Sequence, residues 1–343
     1  MHIPDGYLSP ATCAALYAGS GPFWYVALRR LKRLLATRLI PLLSVFAAFS
    51  FVVMMFNLPL PGGTTGHAVG VSIASIVLGP WASILAISIA LFIQAVFFGD
   101  GGITAFGANS FNMAIAGSLV AYFTYRAISG KCAIVSRRRV FAAGVAGYLS
   151  INVAALLAAI EFGIQPMLFH DASGAPLYAP YPLKIAIPAM MAGHLTVAGL
   201  AELTLSAGLV AWLQRSHPSL LNATAPGAAV TEADAGGFGW LAIRPLLAGL
   251  AALMLLTPLG ILAVGSAWGE WSPHDLNRAL PAGVPQGLEH LSSVWTAPFP
   301  SYAPPFLRSS SFGYLLSAAF GSGLILLAAL AVDWAFAARR RSG

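Results

Sequence analysis

Residues Leu60-Pro61-Gly62-Gly63-Thr64-Thr65-Gly66-His67 lead into an apolar run over 66–79, and a second apolar run over 81–98 follows almost at once. The second run is long enough to cross a ~30 Å hydrocarbon core as a helix. The first, about 14 residues, is too short for a straight crossing at ~1.5 Å per residue. Non-helical backbone persists at membrane depth only where protein or a water-filled cavity covers it. The Gly-rich lead and the short helix therefore predict a loop that dips toward the midplane from outside, with His67 at its tip. An ionisable side chain there is a functional candidate by default. On its own, His67 is explained equally well by a bond to a backbone carbonyl.

The rest of the chain fits that membrane reading. Of 343 residues, 58% are hydrophobic and 8% charged, and the mean hydropathy is +0.79. Such a chain is not a water-soluble globule. Apolar runs near 9–28, 39–59, 66–79, 81–98, 108–128, 140–161, 184–212, 241–265 and 314–337 predict an all-α polytopic membrane protein of about nine transmembrane helices. Basic residues follow the first run (Arg29, Arg30, Lys32, Arg33, Arg38), the fifth (Arg126, Lys131, Arg137, Arg138, Arg139) and the last (Arg339, Arg340, Arg341). That side is then cytoplasmic and the amino terminus extracytoplasmic. The net charge of +7 is accounted for by these clusters, so no nucleic-acid partner is expected.

Asp5, Asp100, Glu161, Asp171, Glu270, Asp275 and Glu289 fall on or near the outer side, either as an acidic mouth for a cation or as ordinary solvated loops. Cys13 and Cys132 fall on opposite sides of the bilayer, so neither a disulfide nor a cysteine metal site is expected. Residues 214–237 are polar, small and Pro/Gly-bearing, and read as a flexible cytoplasmic linker. They divide a seven-helix domain, 1–213, from a two-helix module, 238–343, whose helices are joined by an outer loop of roughly 45 residues.

The chain begins Met1-His2-Ile3-Pro4-Asp5-Gly6. No basic n-region or small-residue cleavage site precedes the first apolar run, so Met1 is expected to be the mature terminus, protected from removal by the bulky His2. A free α-amine, the His2 amide nitrogen and the His2 imidazole can close two fused chelate rings on one metal ion. Such a planar nitrogen set suits Ni(II) or Cu(II) and suits tetrahedral Zn(II) poorly. His67 is the natural fourth nitrogen. Asn109 and Asn112, one turn apart, either orient this set or join helices. His194 and Glu202 lie near one face of the seventh run and read as a bonded pair, with His194 as an additional metal donor the alternative.

Four blocks carry a family resemblance: Met1-His2-Ile3-Pro4-Asp5-Gly6, Gly63-Thr64-Thr65-Gly66-His67-Ala68-Val69-Gly70, Gly99-Asp100-Gly101-Gly102-Ile103-Thr104 and Gly107-Ala108-Asn109-Ser110-Phe111-Asn112-Met113. Together they resemble the nickel/cobalt substrate-capture subunit, NikM/CbiM type, of energy-coupling factor transporters, over essentially residues 1–213. Thr257-Pro258-Leu259-Gly260 and Ala267-Trp268-Gly269-Glu270-Trp271 resemble the small NikN-type companion subunit. Its Pro-Asp-Gly-Leu-Glu hallmark stands here as Pro285-Gln286-Gly287-Leu288-Glu289, without the aspartate.

The resemblance implies a square-planar site made by the Met1 amine, the His2 amide and imidazole, and His67. It implies capture of Ni(II), with Co(II) as the alternative cargo, at a bacterial plasma membrane. The implied partners are a membrane coupling subunit and two cytoplasmic ATPases. The chain itself has no Gly-x-x-x-x-Gly-Lys-Ser/Thr phosphate loop, so ATP hydrolysis falls to a partner, and no organic cofactor is expected. A membrane metalloenzyme predicts a His-Glu-x-x-His ligand pair, which does not occur. A passive metal channel predicts weak sites in series.

Overall fold

The computed structural model describes residues 1–34, 39–60, 64–226, 240–263, 265–280, 283–304 and 306–341. The described residues are mostly helical, with one short two-stranded sheet. The first helices are α1 (Pro10–Leu34), α2 (Leu39–Met54), α3 (Val71–Leu78), α4 (Pro80–Ile93), α5 (Phe106–Asn109) and α6 (Gly117–Ser129). They are followed by α7 (Arg137–Leu168), α8 (Leu183–Gly193), α9 (Gly199–Ser216), α10 (Trp240–Leu256), α11 (Pro273–Ala279), α12 (Gln286–Ser292) and α13 (Ser310–Arg341). Wider π-type turns extend α4 over Gln94–Phe98, join α5 to α6 over Ser110–Ala116 and join α8 to α9 over His194–Ala198.

Five helical stretches among the described residues are long and apolar enough to cross a membrane: Pro80–Phe98, Arg137–Leu168, Leu183–Ser216, Ile243–Leu262 and Ser310–Ala331. Ile40–Met54 is a shorter apolar helix.

The short third run forms a fully buried helix. All eight residues of α3 are buried, and it packs on α4, α6, α7 and α9. At about 12 Å it does not cross a bilayer, and its unpaired N-terminal N–H groups need acceptors within the protein. Glu202 of α9 supplies them: its carboxylate accepts from the amides of Val69 (2.8 Å), Gly70 (2.9 Å) and Ser72 (3.5 Å). Negative charge at a helix N-terminus is also the favourable sign. Gly70, with φ 73°, turns the chain into this helix, and a Cβ there would fall 2.6 Å from the Phe49 ring. A hydroxyl chain, Ser75 to Ser83 to Ser118, ties α3 to α4 and α6.

Two expectations from the sequence are corrected by this geometry. The Gly-rich lead is an antiparallel hairpin, β1 (Leu58–Leu60) on β2 (Thr64–Gly66), in which Leu58 faces Gly66 and Leu60 faces Thr64. Pro61, Gly62 and Gly63 lie outside the described residues. His67 therefore follows a paired strand, and is not the tip of an open loop.

The linker is also packed over its first part. A 3₁₀ turn, Pro218–Thr224, buries Leu220 and Leu221, and the buried Arg139 guanidinium donates to the Thr224 carbonyl (2.8 Å) and to the Tyr125 hydroxyl (3.1 Å). The small polar residues set the linker reading, but two adjacent leucines outweigh them once they are removed from water. The rest of the linker, 227–237, lies outside the described residues.

The C-terminal part is not a separate lobe. α13 and α10 pack on α2, and Gly260 approaches so closely that a Cβ would fall 2.2 Å from the Met55 carbonyl oxygen. The segment between α10 and α13 lies over the end of the bundle that carries the amino terminus. There the Leu288 amide donates to the Leu177 carbonyl, the Phe299 amide to the Phe97 carbonyl and the Trp295 indole to the Val96 carbonyl.

Candidate metal centre

The first residues are threaded into the bundle. Met1, His2 and Ile3 are 4%, 2% and 0% exposed, which is too little for a frayed terminus. Every polar group they bring inside needs a partner. Asn109 clasps Ile3 from both sides: its Oδ1 accepts from the Ile3 amide (2.8 Å) and its Nδ2 donates to the Ile3 carbonyl (3.0 Å). The Gly102 amide donates to the same carbonyl (2.8 Å). Asp5 accepts from the amides of Ile103 (3.1 Å) and Thr104 (2.7 Å) and from the Thr104 hydroxyl. The approach is close, since a Cβ on Gly102 would fall 2.3 Å from the Asp5 nitrogen. The Tyr7 hydroxyl donates to the Trp271 carbonyl, and the Ser9 amide to Gln165.

This threading lays His2 on His67. The two imidazoles stack with centroids 4.8 Å apart and planes 23° from parallel, and both residues are buried. His67 Nδ1 is 3.0 Å from the Ala68 carbonyl oxygen. The Nε2 atoms of His2 and His67 are buried without a hydrogen-bond partner. A buried polar atom left in that condition is destabilising unless it has a ligand to meet.

Carboxylates hold two further nitrogens of this segment. The Met1 amine is 3.1 Å from Glu270 Oε1, and His2 Nδ1 is 2.8 Å from Asp100 Oδ1. Asp100 also bonds Gln94 Nε2 and the Tyr302 hydroxyl. Burial pushes the Asp100 carboxyl up, but the charge and hydrogen bond of His2, with His67 and Tyr302 behind them, outweigh burial and hold it well below the usual carboxylate range. Fused chelation by the amine and His2 Nδ1 therefore requires both carboxylate bonds to open and the His2 ring to turn. Among the described residues no group of three or more His, Cys, Asp and Glu side chains is set to hold a metal. The nitrogen set of Met1, His2 and His67 is half main-chain, which such a group would not include.

The other candidate residues separate. Asn109 holds the terminal segment. Asn112 is not at the centre: its Nδ2 donates to Glu161 (2.8 Å), joining the turn after α5 to α7. His194 and Glu202 do not pair. Eight helical residues set them about 12 Å apart along the axis, so His194 Nδ1 lies 2.8 Å from the Met190 carbonyl oxygen while Glu202 serves α3. His194 instead lines a small space shared with Met1. The acidic mouth is mostly committed inward, since Asp5, Asp100, Glu161 and Glu270 all bond within the protein.

Sequence alone gives Tyr302 no role, and places Glu202 with His194 and Glu270 in the acidic mouth; the structure gives them other partners. The available signal was physical: a carboxylate within an apolar helix must be matched by buried donors.

Replacing Asn109 by alanine is expected to strip two buried bonds from Ile3 and weaken binding of a metal ion at this candidate centre roughly tenfold or more. Asn112→Ala is expected to lower Tm yet leave affinity within about threefold. Titration of both purified variants in detergent with a divalent transition-metal ion checks this.

Comparison with known proteins agrees with this architecture. Residues 2–220 match the family described as the cobalt uptake substrate-specific transmembrane region, and residues 244–338 match the PDGLE domain. The chain is 54% identical over 340 residues to the fused nickel transport protein NikMN of Rhodobacter capsulatus, covering 95% of both chains. It is 43% identical over 325 residues to the probable fused nickel transport protein LarMN of Lactiplantibacillus plantarum, covering 93% of both. A crystal structure of a truncated transition metal transporter aligns with a TM-score of 0.59 at 49% identity, covering 63% of this chain and 100% of that one. The chain thus belongs to the cobalt uptake substrate-specific transmembrane family, joined to a PDGLE domain, and is a multi-pass plasma-membrane component of metal-ion uptake.

Proposed function

We propose that this protein captures Ni(II) from the extracytoplasmic side for ATP-driven uptake, as the substrate-specific subunit of an energy-coupling factor transporter. The Met1 amine, the His2 amide and imidazole nitrogens and His67 are the four donors. The observation that carries this reading is the buried stack of His2 on His67, in which the amino-terminal residues reach the His67 ring and His67 Nε2 has no hydrogen-bond partner. Nickel is preferred to cobalt because a planar nitrogen set matches d⁸ Ni(II) and because two relatives matched over more than nine-tenths of both chains are named for nickel. The family description, which names cobalt, keeps Co(II) as the second cargo.

In this reading nine transmembrane helices place the amino terminus outside. Residues 1–213 form the capture domain, and 214–237 link it to the two-helix module 238–343. The chain performs no chemistry on ATP. A membrane coupling subunit and two cytoplasmic ATPases complete the transporter.

Binding through the amine and a deprotonated amide releases protons to water. Affinity therefore falls as pH falls, roughly tenfold per pH unit for each proton released. Calorimetric nickel titrations in buffers of different ionisation enthalpy count those protons.

The functional test is uptake of radioactive nickel by cells carrying the chain with its coupling subunit and ATPases. Uptake is expected only while the ATPases are active. Equal uptake with inactivated ATPases would establish a passive channel instead.

A further inference from the structure

Two histidines share one preparation. His67 directs Nδ1 to the Ala68 carbonyl and leaves Nε2 buried and unpartnered; His194 directs Nδ1 to the Met190 carbonyl and also leaves Nε2 buried and unpartnered. A ring N–H on a backbone carbonyl fixes the tautomer, so that the other nitrogen presents its lone pair. This is the arrangement by which metal-ligating histidines are oriented. His194 is 3% exposed and opens the π-type turn His194–Ala198, a geometry that recurs at functional positions. It lines, with Met1, Thr65, Met190 and Trp268, a space of ≈ 40 Å³. That is room for one ion or one water and little more.

We propose that His194 supplies a fifth, axial nitrogen to the bound ion, and that this donor lets the site take Co(II) as well as Ni(II). The inference rests on the four-nitrogen reading above and adds a ligand to it. The reason is electronic. Low-spin d⁸ Ni(II) in a strong planar field has a filled orbital along the axis and gains little from an axial donor. Low-spin d⁷ Co(II) has one electron there and binds a fifth donor readily. Met1 lies against the same space, which brings His194 beside the residue that supplies the terminal amine.

The test uses the full chain, loaded anaerobically with Co(II) and examined by electron paramagnetic resonance. One axial ¹⁴N splits each parallel cobalt line into three equal lines, and ¹⁵N-histidine converts them to two. The parent is expected to show this splitting, and His194→Ala and His194→Gln are expected to lose it. Both variants should bind Co(II) roughly tenfold or more weakly, while Ni(II) affinity changes by less than about threefold. Retained Ni(II) binding also shows that the variants fold. Splitting that persists in both variants, or a parent with planar diamagnetic Ni(II) whose Co(II) spectrum lacks it, overturns the role of His194 alone. A parent whose bound Ni(II) is paramagnetic overturns the four-nitrogen reading and this inference with it.

Discussion

Two residues added before Met1 are expected to abolish tight nickel binding while leaving the helical bundle intact. The extension converts the Met1 amine to an amide and removes the terminal chelate ring. It must also be forced past Glu270 and the walls around a Met1 that is 4% exposed. Two residues are the informative length. One added residue would place the histidine third, and a free terminus of that form is itself a four-nitrogen chelator. The expected loss exceeds about a thousandfold, or ~4 kcal/mol. His67→Ala removes one donor and leaves the terminal ring system, so its loss is smaller, about a hundredfold. Competition titration against a chelator of known nickel affinity measures both, with circular dichroism as the control for folding. An extended chain that binds nickel as the parent does would remove the terminal amine from the site.

Glu202→Ala is expected to be the most damaging substitution that touches no metal donor. It leaves the amides of Val69, Gly70 and Ser72 without their acceptor at the buried start of α3. Each unsatisfied buried donor is destabilising by about 1–3 kcal/mol, so the sum is on the order of 5 kcal/mol. His67 is two residues before Val69 and shares the displacement, so nickel affinity should fall about a hundredfold along with Tm. Glu202→Gln keeps one acceptor oxygen and should recover part of both losses. Thermal unfolding in detergent and nickel titration, run on the two variants, read these effects. An alanine variant with parental Tm would show that α3 does not depend on this carboxylate.

The short buried helix was legible in the sequence because a hydrophobic run has a length, and length decides whether it can cross. The meeting of His2 with His67 was legible for a chemical reason: the terminal chelate supplies three nitrogens, and His67 stands out as the fourth. What escaped the sequence depends on three-dimensional matching. The hairpin before His67 pairs only three residues per strand, too few for an alternating pattern to register. The π-type turns at Gln94, Ser110 and His194 shift helical phase by one residue without altering composition. Glu202 seemed to belong with His194 because both are polar on one apolar run. Its true partners are amides of α3, about 130 residues earlier in the chain. The covering segment with Glu270 and Tyr302 is loop-like in sequence, and only the fold brings it onto Met1 and Asp100.

The bound ion is expected to sit in a plane of four nitrogens, two of them from the main chain. X-ray absorption on the full chain carrying one equivalent of Ni(II), together with its magnetic susceptibility, tests this most directly. A planar site predicts an edge shoulder, four light nitrogen-like scatterers and diamagnetism. Six-coordinate, paramagnetic nickel without that shoulder would contradict it.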